Sequence, residues 1–488
     1  MMLRQLLPDM PVPAIAIEGI CEDSRRVKSG DLFCAVVGER TDGRDYIAAA
    51  IGNGAAAVVG EAPLPEMSNP LVPMVAVEGL RSRMSEIAGR FYGHPSEALS
   101  VFAVTGTNGK TSYSQLLAQA LFSASIKCGV IGTMGSGLPG ALVDAGLTTP
   151  AAIDIQQKLR EFVDSECQAV VLEASSHGLV QGRLENVRVG TAVLTNITHD
   201  HLDYHRTFES YRKAKELLFH LGSVNNAVIN LDDDFAPDLM AGLGGSVRVI
   251  GYSLEKETDV SLIEAVATGS GIDVSISVLN DIVKAQLPLL GLFNVQNVLA
   301  VIATLVSMGW RTSQIEVSLK KLSPVAGRMD VLRRAGQPTI IVDYAHTPDA
   351  LEKALCAVRE HFPDHLISCV FGCGGDRDGS KRPIMGQVAS RFADRVVLTS
   401  DNPRSEKPES IIGEILAGVD DVDLHVNADR AEAIREAIHL ASGNEIVVIA
   451  GKGHEDYQEL ASGRVPFDDY AVIDEVLSVG AVTDDEEK

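Results

Sequence analysis

Short apolar, β-branched runs alternate along this chain with stretches of helical period, and that alternation predicts its elements. Residues 99–104 form one such run and a Gly-rich turn follows it. From Thr111 to about Ser125 the residues Leu116, Leu117, Ala120 and Leu121 recur on one helical face. Strand-like runs return at 169–172, 192–195 and 227–230, with helical patterns between the first three runs, which predicts a parallel sheet with crossover helices. Ahead of this block, residues 1–97 carry short β-rich runs at 31–37 and 55–59 between Gly and Pro turns. Beyond Gly327-Arg328, strand candidates at 339–342, 366–371, 395–399 and 445–449 alternate with amphipathic helices at about 348–361, 381–392, 408–418 and 428–441, a second α/β unit of doubly wound type. Residues 247–290 alternate more like β-hairpins, and 294–308 reads as a helix. The expectation is an α/β chain in three blocks, 1–97, 98–328 and 329–488.

Length agrees, because 488 residues at roughly 150 per domain make about three domains. The chain carries 42 Lys+Arg against 66 Asp+Glu, a net charge of −24. That argues against a nucleic-acid or anionic-membrane partner, which would need a basic face. With 45% hydrophobic and 22% charged residues, disorder is excluded as the main state. The seven cysteines, at 21, 34, 128, 167, 356, 369 and 373, show no repeated CxxC spacing and suit reduced thiols. Cys369 and Cys373 have no second pair to complete a zinc site. The N-terminal apolar residues are interrupted by Pro8, Asp9, Pro11 and Pro13, so no signal peptide is expected, and no run of about 18 apolar residues predicts a membrane span. A cytosolic location follows as the default.

Three segments carry candidate chemistry. Thr-Gly-Thr-Asn-Gly-Lys-Thr at 105–111 lies where a strand hands over to a helix, so backbone N–H groups can converge on a polyphosphate. Lys110 would reach the β/γ oxygens and the Thr111 hydroxyl would hold Mg²⁺. The strict phosphate-loop pattern fails at Val104, which stands where the first Gly belongs; a purely structural turn is the competing reading. Glu173 places a carboxylate at the carboxyl end of a strand, where open α/β sheets bind ligands; a helix cap or surface contact is the alternative. Asn196 to His205 packs three His and two Asp into ten residues, the composition of a polar active-site loop, with Mg²⁺ a more economical occupant than zinc. Lys215, by composition alone, reads as a solvated helix lysine.

The phosphate loop, Glu-Ala-Ser-Ser-His-Gly-Leu-Val-Gln-Gly-Arg at 173–183, Asp-His-Leu-Asp-Tyr-His at 200–205, Tyr-Ala-His-Thr-Pro at 344–348, Gly-Cys-Gly-Gly-Asp-Arg-Asp at 372–378, Asp-Asn-Pro-Arg at 401–404 and Gly-Lys-Gly-His-Glu-Asp-Tyr at 451–457 together resemble the Mur ligases of peptidoglycan synthesis. The resemblance runs from Asp23-Ser-Arg25 to Glu455. It implies a small N-terminal UDP-binding domain (1–97), a central P-loop ATPase-like sheet (98–328) and a Rossmann-like C-terminal amino-acid-binding domain (329–488). The activity it implies is ATP-dependent amide formation: a carboxylate attacks the γ-phosphate, and an amine then displaces phosphate from the acyl phosphate. In the member it resembles best, meso-diaminopimelate is added to the D-Glu γ-carboxylate of UDP-MurNAc-L-Ala-D-Glu.

The resemblance also implies site residues. Gly106, Thr107, Asn108, Gly109, Lys110, Thr111 and Ser112 would surround ATP, with Arg328 and Asp343 contributing. Ser112 stands where the family more often has a second Thr. Glu173 and His201 would join Thr111 as Mg²⁺ ligands. Lys215 matches the lysine that the family carbamylates, which overrides its bland compositional reading. Ser24, Glu39, Arg40 and Thr41 match UDP-contacting positions, and Thr148, Thr149, Ser175, Gln181 and Arg183 match those contacting the muramoyl dipeptide. Ser24 alone would pass for a turn residue. Arg377, Asp401, Asn402, Pro403, Arg404, Gly451 and Glu455 would receive diaminopimelate, Arg404 pairing with its distal carboxylate and Glu455 taking an ammonium. Offered lysine instead, the site would leave a guanidinium without a partner, at about 3–5 kcal/mol. Without the resemblance, Asp-Asn-Pro-Arg is a plausible type I turn. A monomer is expected, with no nucleic-acid partner. The rivals are the lysine-adding ligase, a folate polyglutamate ligase and a nucleotide switch without chemistry.

Overall fold

A computed structural model describes residues 1–38, 41–66, 71–144 and 146–479. Glu39 and Arg40 lie outside the described residues. The chain divides into two compact units, Met1–Ser261 with Leu299–Arg311, and Leu262–Val298 with Thr312–Lys488.

The first unit opens with a four-stranded sheet, Gly19–Cys21, Asp31–Ala35, Ala57–Glu61 and Met74–Val77, every neighbouring pair parallel. Side chains alternate across a strand, so Leu32 and Cys34 enter one apolar cluster with Leu80, Met84 and Ile87 of helix Leu80–Tyr92, while Phe33 and Ala35 enter another with Ile47 and Ala50. Both faces are covered, as a parallel sheet requires.

The central sheet of this unit is built outward from Ser100–Thr105. One neighbour is Ala169–Glu173, then Cys128–Gly132; the other is Thr191–Leu194, then Asn226–Asn230 and Arg248–Ser253. All these pairings are parallel, as the alternating pattern predicts. The chain visits one side of Ser100–Thr105 and then crosses to the other, so that strand sits at a switch point where carboxyl-end loops diverge and leave a crevice. Its helix, Lys110–Ser123, buries Leu116, Leu117, Ala120 and Leu121, and also Thr111, Ser112 and Tyr113. It is enclosed more completely than a one-sided apolar stripe implies.

In the second unit a sheet runs in the order Asp330–Leu332, Thr339–Asp343, Glu445–Ala450, Leu366–Phe371, Arg395–Leu398 and Asp423–Val426, parallel except for its first pair. Ile341, Cys369 and Phe371 face helices Pro348–His361, Lys381–Phe392 and Pro408–Leu416, whereas Ile340, Val342 and Val370 face Arg430–Leu440 and Asp469–Val479. Helices on both faces make this unit doubly wound. Helix Pro348–His361 starts where the sequence prescribes, with Pro348 in the first turn and the Thr347 hydroxyl accepting from Ala350 N–H.

The hairpin reading of 247–290 holds for Gly271–Val278 with Asp281–Leu287, which pair antiparallel. Arg248–Ser253 instead extends the parallel sheet, paired parallel with Asn226–Asn230 on one side and with Val260 and Ser261 on the other. No helix among the described residues is long and apolar enough to cross a membrane.

One ion pair underpins the second unit. Arg430 and Asp469 are both fully buried and joined by two bonds of 2.8 Å, and the guanidinium also reaches the carbonyls of Ser400 (3.4 Å) and Ala450 (3.1 Å). Removing one partner strands the other charge in a dry interior. Arg430→Met is expected to cost about 3–5 kcal/mol in urea unfolding; a loss under about 1 kcal/mol would contradict the pair's structural role.

Candidate active site

Three strand ends meet at the switch point of the first unit. Thr105 leads into the turn Gly106–Gly109, Glu173 ends its strand, and Thr195-Asn196 follows Thr191–Leu194. At Gly106, φ is +152°, and a Cβ would collide with Thr195 Oγ1 while lying 3.0 Å from Asn196 O, so the loop can lie on the neighbouring strand end only with glycine there. Cross-links fix it: Thr107 N–H donates to Asn196 O (2.7 Å), Asn108 N–H to Asn196 Oδ1 (3.0 Å), and Thr195 Oγ1 donates to Asn108 O (2.6 Å). Thr107 Oγ1 further pairs with Tyr211 OH at 3.0 Å. Gly109, at φ +86°, ends the turn and opens the helix of Lys110 and Thr111.

Glu173 is fully buried and held by hydroxyls. Its Oε2 accepts from Thr133 Oγ1 (2.9 Å) and Thr111 Oγ1 (3.1 Å), and its Oε1 lies 3.2 Å from Ser114 Oγ. Gly132 makes room, since any Cβ there would strike the carboxylate. Thr133 in turn meets Thr148 Oγ1 at 3.0 Å.

Lys215 corrects the compositional expectation. It is not solvated but 2% exposed, with Nζ donating to Gly106 O at 2.7 Å and lying 4.5 Å from the centre of the Tyr211 ring. Lys110 Nζ donates to the same carbonyl at 2.9 Å and to Thr107 O at 2.9 Å. Burial, and then the positive Lys110, push the Lys215 ammonium well below its ordinary value, with Asp200 opposing weakly.

His201 takes a left-handed backbone (φ +52°) with its N–H on Asp200 Oδ1 at 2.9 Å, and its ring lies edge-on to His177 at 5.0 Å. His205 Nε2 pairs with Ser176 Oγ at 2.9 Å, and His199 stacks on Phe208 at 4.3 Å. His201 and His205 thus both lie against His177 and Tyr211, whereas His199 packs on Phe208. Among the described residues, no group of three His, Cys, Asp or Glu is gathered as a metal cage.

The dipeptide candidates cluster. Thr149 Oγ1 donates to Glu173 O (2.7 Å) and accepts from Ser175 N–H (2.9 Å); Ser175 caps the short helix Ser176–Val180; Arg183 donates to Thr149 O and to Gln181 Oε1. Ser24 is buried in a 3₁₀ turn, whereas Thr41 is exposed and its carbonyl receives Gly38 N–H.

In the second unit, Asp343 is half-buried and accepts N–H groups of Met329 and Ala345, both at 2.8 Å; desolvation raises its pKa. Arg328 lies over the Tyr344 ring at 4.4 Å. Glu455 accepts from Asn402 Nδ2 (3.0 Å), Lys452 Nζ (3.1 Å) and Tyr344 OH (3.2 Å); burial pushes its pKa up, but these three partners bring it below the usual value. Arg377 is exposed. Arg404 is already paired: its Nε donates to Glu459 Oε2 at 2.9 Å and its Nη1 to Gly375 O at 2.8 Å. The expected lone guanidinium is therefore corrected. Sequence reasoning singled out neither Lys452 nor Thr133. Lys452 stands one residue past Gly451 after a buried strand, and Thr133 one residue past Gly132; position after a strand end was the available signal.

A glycine-turn loop at a parallel-sheet switch point, with Lys110, Thr111 and a buried carboxylate on one edge, defines a phosphate-loop α/β protein. Three family profiles match in order: "Mur ligase family, catalytic domain" over 16–92, "Mur ligase middle domain" over 104–305, and "Mur ligase, glutamate ligase domain" over 327–453. The chain belongs to the Mur ligase family. It is 45% identical over 482 residues to the UDP-N-acetylmuramoyl-L-alanyl-D-glutamate–2,6-diaminopimelate ligase of Xanthomonas oryzae pv. oryzae, covering 98% of this chain and 97% of that one. A solved structure of a ligase of the same name superposes with a TM-score of 0.71 at 35% identity over 99% of both chains. A folylpolyglutamate synthase of Mycobacterium tuberculosis, 17% identical with a TM-score of 0.62, shares the fold over 76% of this chain and 92% of its own.

The depressed lysine gives a signed expectation. Below the ordinary 10.5 the unfolded chain holds a proton that folded Lys215 resists, so this group makes stability rise with pH up to about that value. In CO₂-free buffer, the unfolding midpoint of Lys215→Met relative to the parent should be most favourable near pH 7 and fall steadily towards pH 10. A difference that does not change with pH would contradict the burial effect.

Proposed function

We propose that this chain adds meso-2,6-diaminopimelate to the D-Glu γ-carboxylate of UDP-MurNAc-L-Ala-D-Glu, at the expense of ATP. The carrying observation is near-complete alignment at 45% identity with a ligase named for this reaction. The chain is an ATP-dependent amide ligase of peptidoglycan precursor synthesis. The γ-carboxylate takes the γ-phosphoryl group and ADP leaves; the amine attacks the acyl carbon, phosphate departs, and the amine's proton is lost. Positioning and charge neutralisation are the protein's main tasks in such transfers.

Residue roles follow as part of the proposal. Loop N–H groups of 106–112 and Lys110 would cradle the ATP phosphates, with Arg328 and Asp343 as further contacts. Mg²⁺ would sit against Thr111, Glu173 and His201. The fit is good because Thr111 Oγ1 and Glu173 Oε2 stand 3.1 Å apart as adjacent hard-oxygen donors, and magnesium is held by a few such groups plus phosphates rather than by an all-protein cage. Bound there, the ion would neutralise phosphate charge. Burial disfavours the Lys215 ammonium and so favours the neutral amine that carbamylation by CO₂ requires. Residues 1–97 would hold UDP, 98–328 ATP and the dipeptide, and 329–488 the amino acid. A cytoplasmic location and a monomeric state complete the reading.

The distal carboxylate of diaminopimelate would meet Arg404. Because Glu459 and Gly375 O already hold its Nε and Nη1, the edge left for substrate is Nη2. Discrimination against lysine then rests on one charged hydrogen bond, about 1.5–3 kcal/mol, rather than on an abandoned buried guanidinium. The folate ligase reading is disfavoured by that fold's match to only 76% of this chain.

Phosphate release from ATP should require both UDP-MurNAc-L-Ala-D-Glu and meso-diaminopimelate. Full-rate release without an amine would support a nucleotide switch, and equal turnover of L-lysine would support the lysine-adding reading. Arg404→Ala should raise the KM for diaminopimelate about 10- to 100-fold and leave that for ATP within about twofold. Unchanged kinetics would remove Arg404 from recognition.

A further inference from the structure

Counting protons along the hydroxyls at Glu173 assigns a direction to a chain of hydrogen bonds that ends in the crevice. A carboxylate has only lone pairs to offer, and each threonine hydroxyl has one proton. Thr133 Oγ1, 2.9 Å from Glu173 Oε2, must spend its proton there. Its 3.0 Å contact with Thr148 Oγ1 can then exist only if Thr148 is the donor. With its single proton committed to Thr133, Thr148 shows lone pairs alone to anything bound beside it. The neighbouring hydroxyls are committed too. The Thr149 proton is shared between the Glu173 carbonyl at 2.7 Å and Ser175 Oγ at 3.0 Å, and Ser175 Oγ also accepts from Gly178 N–H at 3.1 Å. Glu173 and Thr149 are buried and Thr148 is half-buried, so water competes little at the inner end of the chain.

We infer that Thr133 is a positioning residue: it carries the negative charge of Glu173 outward to Thr148 and makes Thr148 Oγ1 a hydrogen-bond acceptor, matched to an N–H or O–H of the bound muramoyl peptide rather than to its carboxylates. This rests on the substrate assignment proposed above. Carboxylates of that substrate must then be met elsewhere, with Arg183, which donates to Thr149 O and Gln181 Oε1, the cation among these residues. A threonine in place of valine at 133 is needed for its proton and not for its shape.

The test is calorimetric titration of UDP-MurNAc-L-Ala-D-Glu into the full chain without ATP or Mg²⁺, so that neither turnover nor metal enters the reading. Thr133→Val should weaken binding about tenfold, Thr133→Ser should stay within about twofold of the parent, and adding Thr133→Val to Thr148→Val should cost little more than Thr148→Val alone. Binding by Thr133→Val within twofold of the parent, a loss that Thr133→Ser does not restore, or additive losses would each overturn the relay. If the parent chain itself does not bind this ligand, the substrate assignment fails instead, and the relay is then judged by neutron diffraction of the deuterated protein. That measurement should place the Thr148 deuteron towards Thr133 and the Thr133 deuteron towards Glu173; the opposite order overturns the proposal.

Discussion

A carboxylate sealed inside a protein has to be met by donors, and the first unit is arranged around meeting one. Glu173 has no exposed surface, and the groups on it come from separate segments: Thr111 and Ser114 from one helix turn, Thr133 from the end of an adjacent strand. These can converge only if strand 169–173 lies between Ser100–Thr105 and Cys128–Gly132, and only if position 132 has no side chain. An unmet buried carboxylate costs several kcal/mol, so strand order, Gly132 and the helix start are all constrained by one charge.

Lys215 extends the same logic with the opposite sign. Its amine and that of Lys110 share the Gly106 carbonyl, an arrangement that burial and like charge make unfavourable for two ammonium ions. The protein relieves this by holding Lys215 ready to be neutral, which is also the state able to react with CO₂. A local conflict among three residues is thereby turned into chemical readiness, as is common where pKa values are strongly displaced. The overall −24 charge plays no part at this scale; the crevice is governed by groups a few ångströms apart.

The strand and helix alternation was legible because the core strands are apolar on both faces and helices such as Pro348–His361 bury one apolar stripe, although Lys110–Ser123 is enclosed on more sides than one. Where an element is small or glycine-rich, as in Cys128–Gly132, or partly exposed, as in Asp423–Val426, periodicity carries no such signal. The phosphate loop and Glu173 were readable from their place at strand ends. Lys215 was not, because Tyr-Arg-Lys-Ala-Lys has the composition of a solvated face and only the tertiary fold buries its last residue. Thr133 escaped for a related reason: nothing local distinguishes a hydroxyl that faces a distant carboxylate from one that faces water.

Arg404 shows how such long-range pairing alters a chemical argument and not merely a contact map. Its partner Glu459 is 55 residues away, and the loop that holds it is itself tied down by Arg382, which binds Glu406 at 2.8 Å and Glu414 at 3.0 Å. A guanidinium held in this way is preorganised: it loses little freedom when a substrate carboxylate arrives, which favours binding. It is also already partly neutralised, so the wrong amino acid leaves behind no bare charge, which lowers the penalty for error. Lys452 and Glu455 follow the same pattern: the carboxylate proposed to accept an incoming ammonium already carries an internal cation 3.1 Å away. On the proposed assignment, recognition in this unit would depend on geometry more than on charge count. A second carboxylate would be read by whether it reaches Nη2 of Arg404, so selectivity would reside in the loops that hold that edge in place.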